Sequence, residues 1–228
     1  LLTTTDMLLE DVHFRRAWTD LRTLGRKSMA VNVSDIAAMG GRARHAFVSL
    51  AIPDSLQVEE IEDLIEGLLQ GCTHYGVTLA GGDTCRSRSG LVISVALQGH
   101  IPRGKAVTRG GACPDDLVCV SGTLGDSALA LTDLMHGRAV DAGLLRRHLD
   151  PQARAGLGPA LAEHDLATTM IDISDGLLAD LGHILKASKV GANLQLCALP
   201  LSSAFRQRAG GDRELHDLSL SGGEDYEL

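Results

Sequence analysis

Residues 171–184, IDISDGLLADLGHI, set Asp172, Ser174 and Asp175 where an apolar strand should turn into a helix. Met170, Ile171 and Ile173 read as the strand, and Leu177, Leu178, Leu181, Ile184 and Leu185 as the helix's apolar stripe. Strand side chains alternate, so Asp172 and Ser174 share a face and Asp175 lies at the helix start. One capping oxygen, from Ser174 or Asp175, serves a helix N-terminus, which leaves the others unexplained. Asp172, inside an apolar strand, must meet a donor or a cation to be buried.

The same pattern recurs. In TTTDMLLEDVHF (3–14), Thr4, Thr5 and Asp6 gather hard oxygen donors of the kind magnesium prefers, and His13 follows as a structural histidine or a ligand contact. In AVNVSDIAAMGG, Asn32 and Asp35 lie one helical turn apart among residues small enough to admit a ligand, although Asp35 also reads as a surface acid. GGDT (81–84) follows an apolar strand and is either a tight turn or a close backbone approach to a phosphate. SGTLGDSA (121–128) has the look of a strand-turn-helix phosphate loop but matches neither the Walker pattern nor GxGxxG. No Ser-His-Asp or Cys-His order stands out. Asp6, Asp35, Asp83, Asp172 and Asp175 would repel one another unless cations neutralised them. The economical reading is a nucleotide bound through several magnesium ions that bridge phosphate oxygens during in-line transfer.

Elements that would position these residues follow from periodicity. A strand over 1–5 delivers Asp6; a helix capped by Thr19-Asp20 runs to Gly40-Gly41; AFVSLAI (46–52) is a strand; and residues 58–72 form an amphipathic helix whose acidic run reads as a solvated face. Strands are expected at 77–80, 91–99, 117–120, 170–173 and 193–197, and helices from 126, over 142–150, over 159–167 and over 176–189. The stretch IPRGKAVTRGGACPDD (101–116) lacks periodicity and marks a boundary between domains of 1–110 and 111–228. Strand and helix alternate in both halves, which predicts two α/β or α+β layers. Arg15, Arg16, Arg22, Arg26 and Lys27 read as solvated or subunit-contacting groups, or as anion contacts.

The 228 residues suffice for one large or two modest domains, and with 3% aromatics the cores must be aliphatic. A net charge of −8 disfavours nucleic-acid binding by phosphate neutralisation. No apolar run approaches the roughly 18 residues of a membrane span and no leader is visible, so a soluble, cytoplasmic protein is expected. The five cysteines show no metal-ligand spacing and read as free thiols. The chain opens with Leu1 in a β-prone run and stops at Leu228 without a cap, which reads as a fragment of a longer protein.

In this order and spacing, TTDMLLEDVHF, AVNVSDIAAMG, GGDT, VTRGGACPDD, SGTLGDSA, IDISDGLLADLGHI and SGGEDYEL resemble the thiamine-monophosphate kinase family of the aminoimidazole ribonucleotide synthetase-like superfamily. The resemblance covers nearly the whole chain. It implies ATP-dependent phosphorylation of thiamine monophosphate to thiamine diphosphate by direct transfer. It also implies a homodimer whose N-terminal sheets close a β-barrel, with a C-terminal α/β domain beside it. By the family pattern Thr4, Thr5, Asp6, Asp35, Asp83, Asp172 and Asp175 would hold magnesium, with Asp35 and Asp172 the catalytic acids. Gly82, Asp83, Arg109, Ser174 and Tyr75 would contact ATP, and His13 and Glu224 the substrate. The family's upstream glycine-acid-acid segment and a downstream aromatic contact lie outside residues 1–228. Within the superfamily, DMLLEDVHF stands where a synthetase would carry a lysine segment, which favours the thiamine branch. Selenide dikinase and a nucleotide-binding module without catalysis are the remaining alternatives.

Overall fold

The structure, a computed structural model, describes residues 1–228. The N-terminal half is a four-stranded sheet with two helices on one face. Its elements are β1 (Leu2–Leu9), α1 (Leu21–Ala38), β2 (Arg42–Pro53), α2 (Val58–Tyr75), β3 (Thr78–Ser87) and β4 (Val92–His100). The strand order is β1-β4-β2-β3, antiparallel except for β2 and β3, which α2 joins by the crossover that a parallel pair needs. Strand alternation sends Leu8, Val48, Leu50, Ile93, Val95 and Leu97 to the helices, where they pack with Leu24, Met29, Val33, Ile36, Leu64 and Leu68. The opposite face carries no layer; Met7 is 53% and Phe47 40% exposed there.

Both helices have chemical starts and stops. Asp20 caps α1 by accepting from the Thr23 N–H, and Gly40, at φ +75°, follows its end. Glu60 reaches back to the Gln57 N–H at the start of α2, and left-handed Gly76 closes it. α1 is buried on nearly every side, by α2 and the sheet on one flank and by the second half of the chain on the other. Its crossing with α2 is close because a Cβ on Gly67 would overlap the Arg22 carbonyl and one on Gly25 the Leu64 carbonyl.

The second half is helical wherever it is regular: α3 (Asp126–Met135), α4 (Ala142–Leu149), α5 (Leu157–Glu163), α6 (Leu177–Ser188), α7 (Ser203–Ala209) and α8 (Arg213–Ser221). The expected strands at 117–120, 170–173 and 193–197 do not form; Leu196–Ala198 is instead a short 3₁₀ turn. The first two regions meet the 224–228 segment through isolated bonds, Ile173 N–H to the Glu227 carbonyl, Tyr226 N–H to Ile173 and Ser121 N–H to Leu228. Glu224 and Tyr226 adopt left-handed φ values of +64° and +51°, which breaks the extended run that a ladder requires. The chain as a whole remains a mixed α/β fold, with the alternation confined to its first half.

GGDT also departs from expectation. It lies inside β3, where Gly81, Gly82 and Asp83 pair with Phe47, Val48 and Ser49, so it is not a turn. Gly82 is required because any Cβ there would run into the Val48 carbonyl.

Replacing Gly67 with alanine should cost roughly 1–3 kcal/mol or more in urea denaturation, because backbone must move to admit the methyl group. Gly182→Ala, in α6 with nothing near its Cβ, should instead gain about 0.5–1 kcal/mol by helix propensity.

Candidate active site

Three of the expected acids converge on α1. Asp35 lies on the helix and accepts a short hydrogen bond from the Thr4 hydroxyl of β1. Asp6, two residues along the same strand face, receives the Asn32 side chain at its backbone N–H, 3.1 Å away. Asp172 arrives from the second half of the chain, 5% exposed, and accepts from the Ser34 hydroxyl at 2.6 Å. Burial pushes the Asp172 carboxyl up to about 7, against the Ser34 bond and with the Asp35 charge adding to the rise. Asp6 is raised to about 6 by burial and then by Asp35. Asp35 itself is raised by burial, while the Thr4 bond and the Arg109 charge act the other way. The Tyr226 hydroxyl is raised by burial, with the charges of Glu224, Asp6, Asp172 and Asp35 adding to the rise.

The other expected ligands stand apart. Asp83 pairs across the sheet with Ser49, Ser49 with Ser94, and Ser94 with Met7, so Asp83 shares the uncovered face with Met7. It also occupies the strand at the far edge from Asp6, three strand spacings or roughly 14 Å away. Thr5 points to that same uncovered face, opposite to Thr4 and Asp6. Asp175 is exposed beyond the strand-to-helix turn. Within a single chain no three His, Cys, Asp or Glu side chains are close enough to enclose a metal ion. The donor set of Asp6, Asp35 and Asp172 nonetheless fits a hard cation: these are buried oxygen groups whose charged forms lack full compensation.

The turn ahead of α6 and the SGTLGDSA loop are both filled by the protein's own carboxylates. Neither Ser174 nor Asp175 caps α6; Asp180, one turn inside the helix, reaches back so that its Oδ2 accepts from the N–H groups of Ser174, Asp175 and Gly176. The SGTLGDSA loop gives its Gly125 N–H to Asp225 and packs Gly122 on the Glu227 carboxylate, leaving no cradle for phosphate there. Glu227 is fully buried and holds Arg147 at 2.7 Å, Arg154 and the Ser121 hydroxyl. Burial acts to raise its carboxyl, but these partners outweigh it and hold the group below its ordinary range. Asp225, with one oxygen lacking a partner, is raised to about 7, chiefly by burial.

The expected substrate and nucleotide contacts have defined places. Glu224 is held by Lys27 and the His148 ring, each at 3.2 Å; although burial opposes it, the two partners bring its carboxyl down to about 2. His13 is exposed in the loop after β1, where its Nδ1 accepts from the Leu9 N–H. Tyr75 ends α2 and its hydroxyl accepts from the Ala153 N–H, beside a hollow of about 280 Å³ that none of the five acids lines. Arg109 is exposed and Ser174 half-buried. The basic residues near the start are internally paired: Arg16 with Glu10, Arg22 with Asp63 and Glu66, Arg26 with Asp150 and Lys27 with Glu224. Sequence reasoning passed over Ser34, Asp180 and Tyr226, and it read Lys27 as a solvated, subunit-contacting or anion-contacting group where the structure buries it against Glu224. Asp180 had a signal, since it falls three residues after Leu177 and beside Leu181 on the apolar stripe.

Residues 1–101 match the family model described as AIR synthase related protein, N-terminal domain. The sheet with its two helices is therefore an AIR synthase-related N-terminal domain. Over its whole length the chain is 41% identical to the thiamine-monophosphate kinase of Haemophilus influenzae, of which it spans 69%. It superimposes on the crystal structure of the thiamine-monophosphate kinase from Stenotrophomonas maltophilia K279a with a TM-score of 0.92 at 37% identity, covering 99% of this chain and 72% of that one. The AaThiL structure complexed with AMPPCP and TMP gives a TM-score of 0.89 at 36% identity, with 99% and 72% covered. The chain belongs to the thiamine-monophosphate kinase family.

The raised carboxyls have a measurable consequence. Between the ordinary value of 3.8 and about 7, the folded protein keeps protons on Asp172, Asp6 and Asp225 that the unfolded chain has released. Stability of the metal-free protein contributed by these groups should therefore fall as pH rises through that window. In urea denaturation with EDTA at pH 5 and pH 8, Asp172→Asn should lose less stability across the interval than wild type, by on the order of 2–4 kcal/mol.

Proposed function

We propose that this chain transfers the γ-phosphoryl group of ATP to thiamine monophosphate, giving thiamine diphosphate and ADP. A phosphate oxygen of thiamine monophosphate attacks the γ-phosphorus in line, and the bond from that phosphorus to the β–γ bridging oxygen breaks, so no phosphoenzyme intervenes. The observation that carries this reading is the meeting of Asp6, Asp35 and Asp172 around α1, with Arg109 acting on Asp35, in a member of this kinase family. An acidic pocket repels a triphosphate unless divalent cations come with it. Asp6, Asp35, Asp172 and the Thr4 hydroxyl would hold magnesium, which when bound screens phosphate charge and stabilises the transferring group.

The chain's own groups then have assigned tasks. Arg109 and Ser174 meet the nucleotide, and His13 and Glu224 meet thiamine monophosphate. Lys27 and His148 fix the Glu224 carboxylate in its charged form, ready for a cationic or hydrogen-bonding substrate. Thr5, Asp83 and Gly82 line or border the uncovered sheet face, and their roles as ligands fit a site completed by a second copy whose sheet lies against this one. The exposed Met7 and Phe47 on that face support such a homodimer. The division at about residue 110 assigns the sheet to nucleotide binding and dimerisation and 111–228 to the second domain. No helix is long and apolar enough to cross a membrane, which accords with work in the cytoplasm on small solutes.

The deciding experiment incubates the protein with ATP, magnesium and thiamine monophosphate and scores thiamine diphosphate together with ADP; AMP as product would point to the dikinase branch. Asp35→Asn and Asp172→Asn should each lower kcat by roughly 100-fold or more while leaving the circular-dichroism spectrum unchanged, since each removes a charge without removing volume. Near-normal turnover of both variants at saturating magnesium would refute the metal roles. For assembly, light scattering should give twice the monomer mass for wild type, and Phe47→Glu should shift it to monomer by placing charge on the uncovered face.

A further inference from the structure

The strand-to-helix turn at 172–176 is held by unusually many bonds for so short a segment. One oxygen of Asp180 gathers the N–H groups of Ser174 and Asp175 at 3.0 Å and of Gly176 at 3.1 Å. The Ser174 carbonyl accepts from Glu224, and the neighbouring Ile173 is bonded on both sides, to Glu227 and Tyr226. Gly176, at φ +111°, lies so near Ser221 and Gly222 that a Cβ would crowd their backbone. Asp180 itself is 3% exposed. A residue that only caps a helix needs one or two of these bonds. Three bonds to consecutive peptides fix the 173–174, 174–175 and 175–176 peptide planes, and with them the direction of the Ser174 side chain.

We propose that Asp180 is a positioning residue for phosphoryl transfer, holding the 174–176 backbone so that Ser174, the turn's nucleotide contact, faces the nucleotide. The proposal rests on the reading of Ser174 given under the proposed function. It also states that the three N–H groups are not a phosphate seat: they are committed to Asp180 before any nucleotide arrives. Ser174 then meets ATP through its side chain.

Steady-state kinetics on three variants test it. Asp180→Ala should lower kcat roughly tenfold or more and raise the KM for ATP, with the KM for thiamine monophosphate within about twofold, because a misplaced reacting group costs rate before it costs the distant substrate. Asp180→Asn keeps an accepting oxygen and should stay within about threefold of wild type. Asp141→Ala removes the cap of α4, which accepts from Gly143 and Leu144, and should lower Tm without changing either KM or kcat. A folded Asp180→Ala with unchanged kcat and ATP KM would make Asp180 a plain cap and overturn the proposal. Should the alanine variant not fold, residue-resolved hydrogen exchange on wild type decides. Amides 174–176 protected both without and with AMPPCP support the proposal; amides that exchange freely until AMPPCP is added overturn it. A wild-type protein that makes no thiamine diphosphate would refute the proposed function, whereas an active wild type with an unaffected alanine variant refutes this inference alone.

Discussion

A helix enclosed on every side can carry a polar side chain only where a partner waits for it, and α1 carries many. Lys27, Ser28, Asn32 and Ser34 are all buried on it, and Arg26 and Asp35 lie at its margins. Each is answered: Arg26 by Asp150, Lys27 by Glu224 and the His148 carbonyl, Ser28 by the Leu24 carbonyl, Asn32 by the Asp6 N–H, Ser34 by Asp172 and Asp35 by Thr4. Leaving one unanswered costs about 1–3 kcal/mol, more for a charge, so these pairings dictate how the halves of the chain meet. The acids gather because their partners sit on successive turns of one rod.

Around that rod the protein uses its own carboxylates as internal anions. Asp180 fills the N–H groups ahead of α6, Asp225 takes the Gly125 N–H and Glu227 neutralises Arg147 and Arg154. Loops that resemble phosphate seats are therefore already occupied, and the positive charge of two arginines is spent inside the fold. With these backbone seats and much of the basic complement engaged, few of the chain's own positive groups are left to meet a polyphosphate. The net charge of −8 accords with the magnesium role proposed above.

Much of this was legible in the residues. The two-residue alternation of LVISVALQG and the capping Asp20 specify β4 and the start of α1 without help from tertiary structure. Asp6, Asp35 and Asp172 were visible because an acid inside an apolar or small-residue setting demands an explanation. The failures have physical causes. TMIDIS has strand composition, but its partners are single bonds to a segment kinked by left-handed Glu224 and Tyr226, and composition cannot report a missing ladder. GGDT was open between a turn and a phosphate approach because glycine pairs serve both; here Gly82 serves the approach of β3 to β2. Asp83 was grouped with the other acids although strand register, unreadable from one strand, turns it to the opposite face. The role of Glu227 was not readable because Arg147 and Arg154 lie 80 and 73 positions away.

The pairings of α1 also span great distances along the polypeptide. Arg26 reaches Asp150 across 124 positions, Ser34 reaches Asp172 across 138 and Lys27 reaches Glu224 across 197. During synthesis the sheet and both its helices can emerge from the ribosome and collapse while this flank of α1 still faces water. The acids around α1 therefore assemble late: a nascent chain can own a finished hydrophobic core and still lack the partners of this flank until the GGEDY segment has arrived.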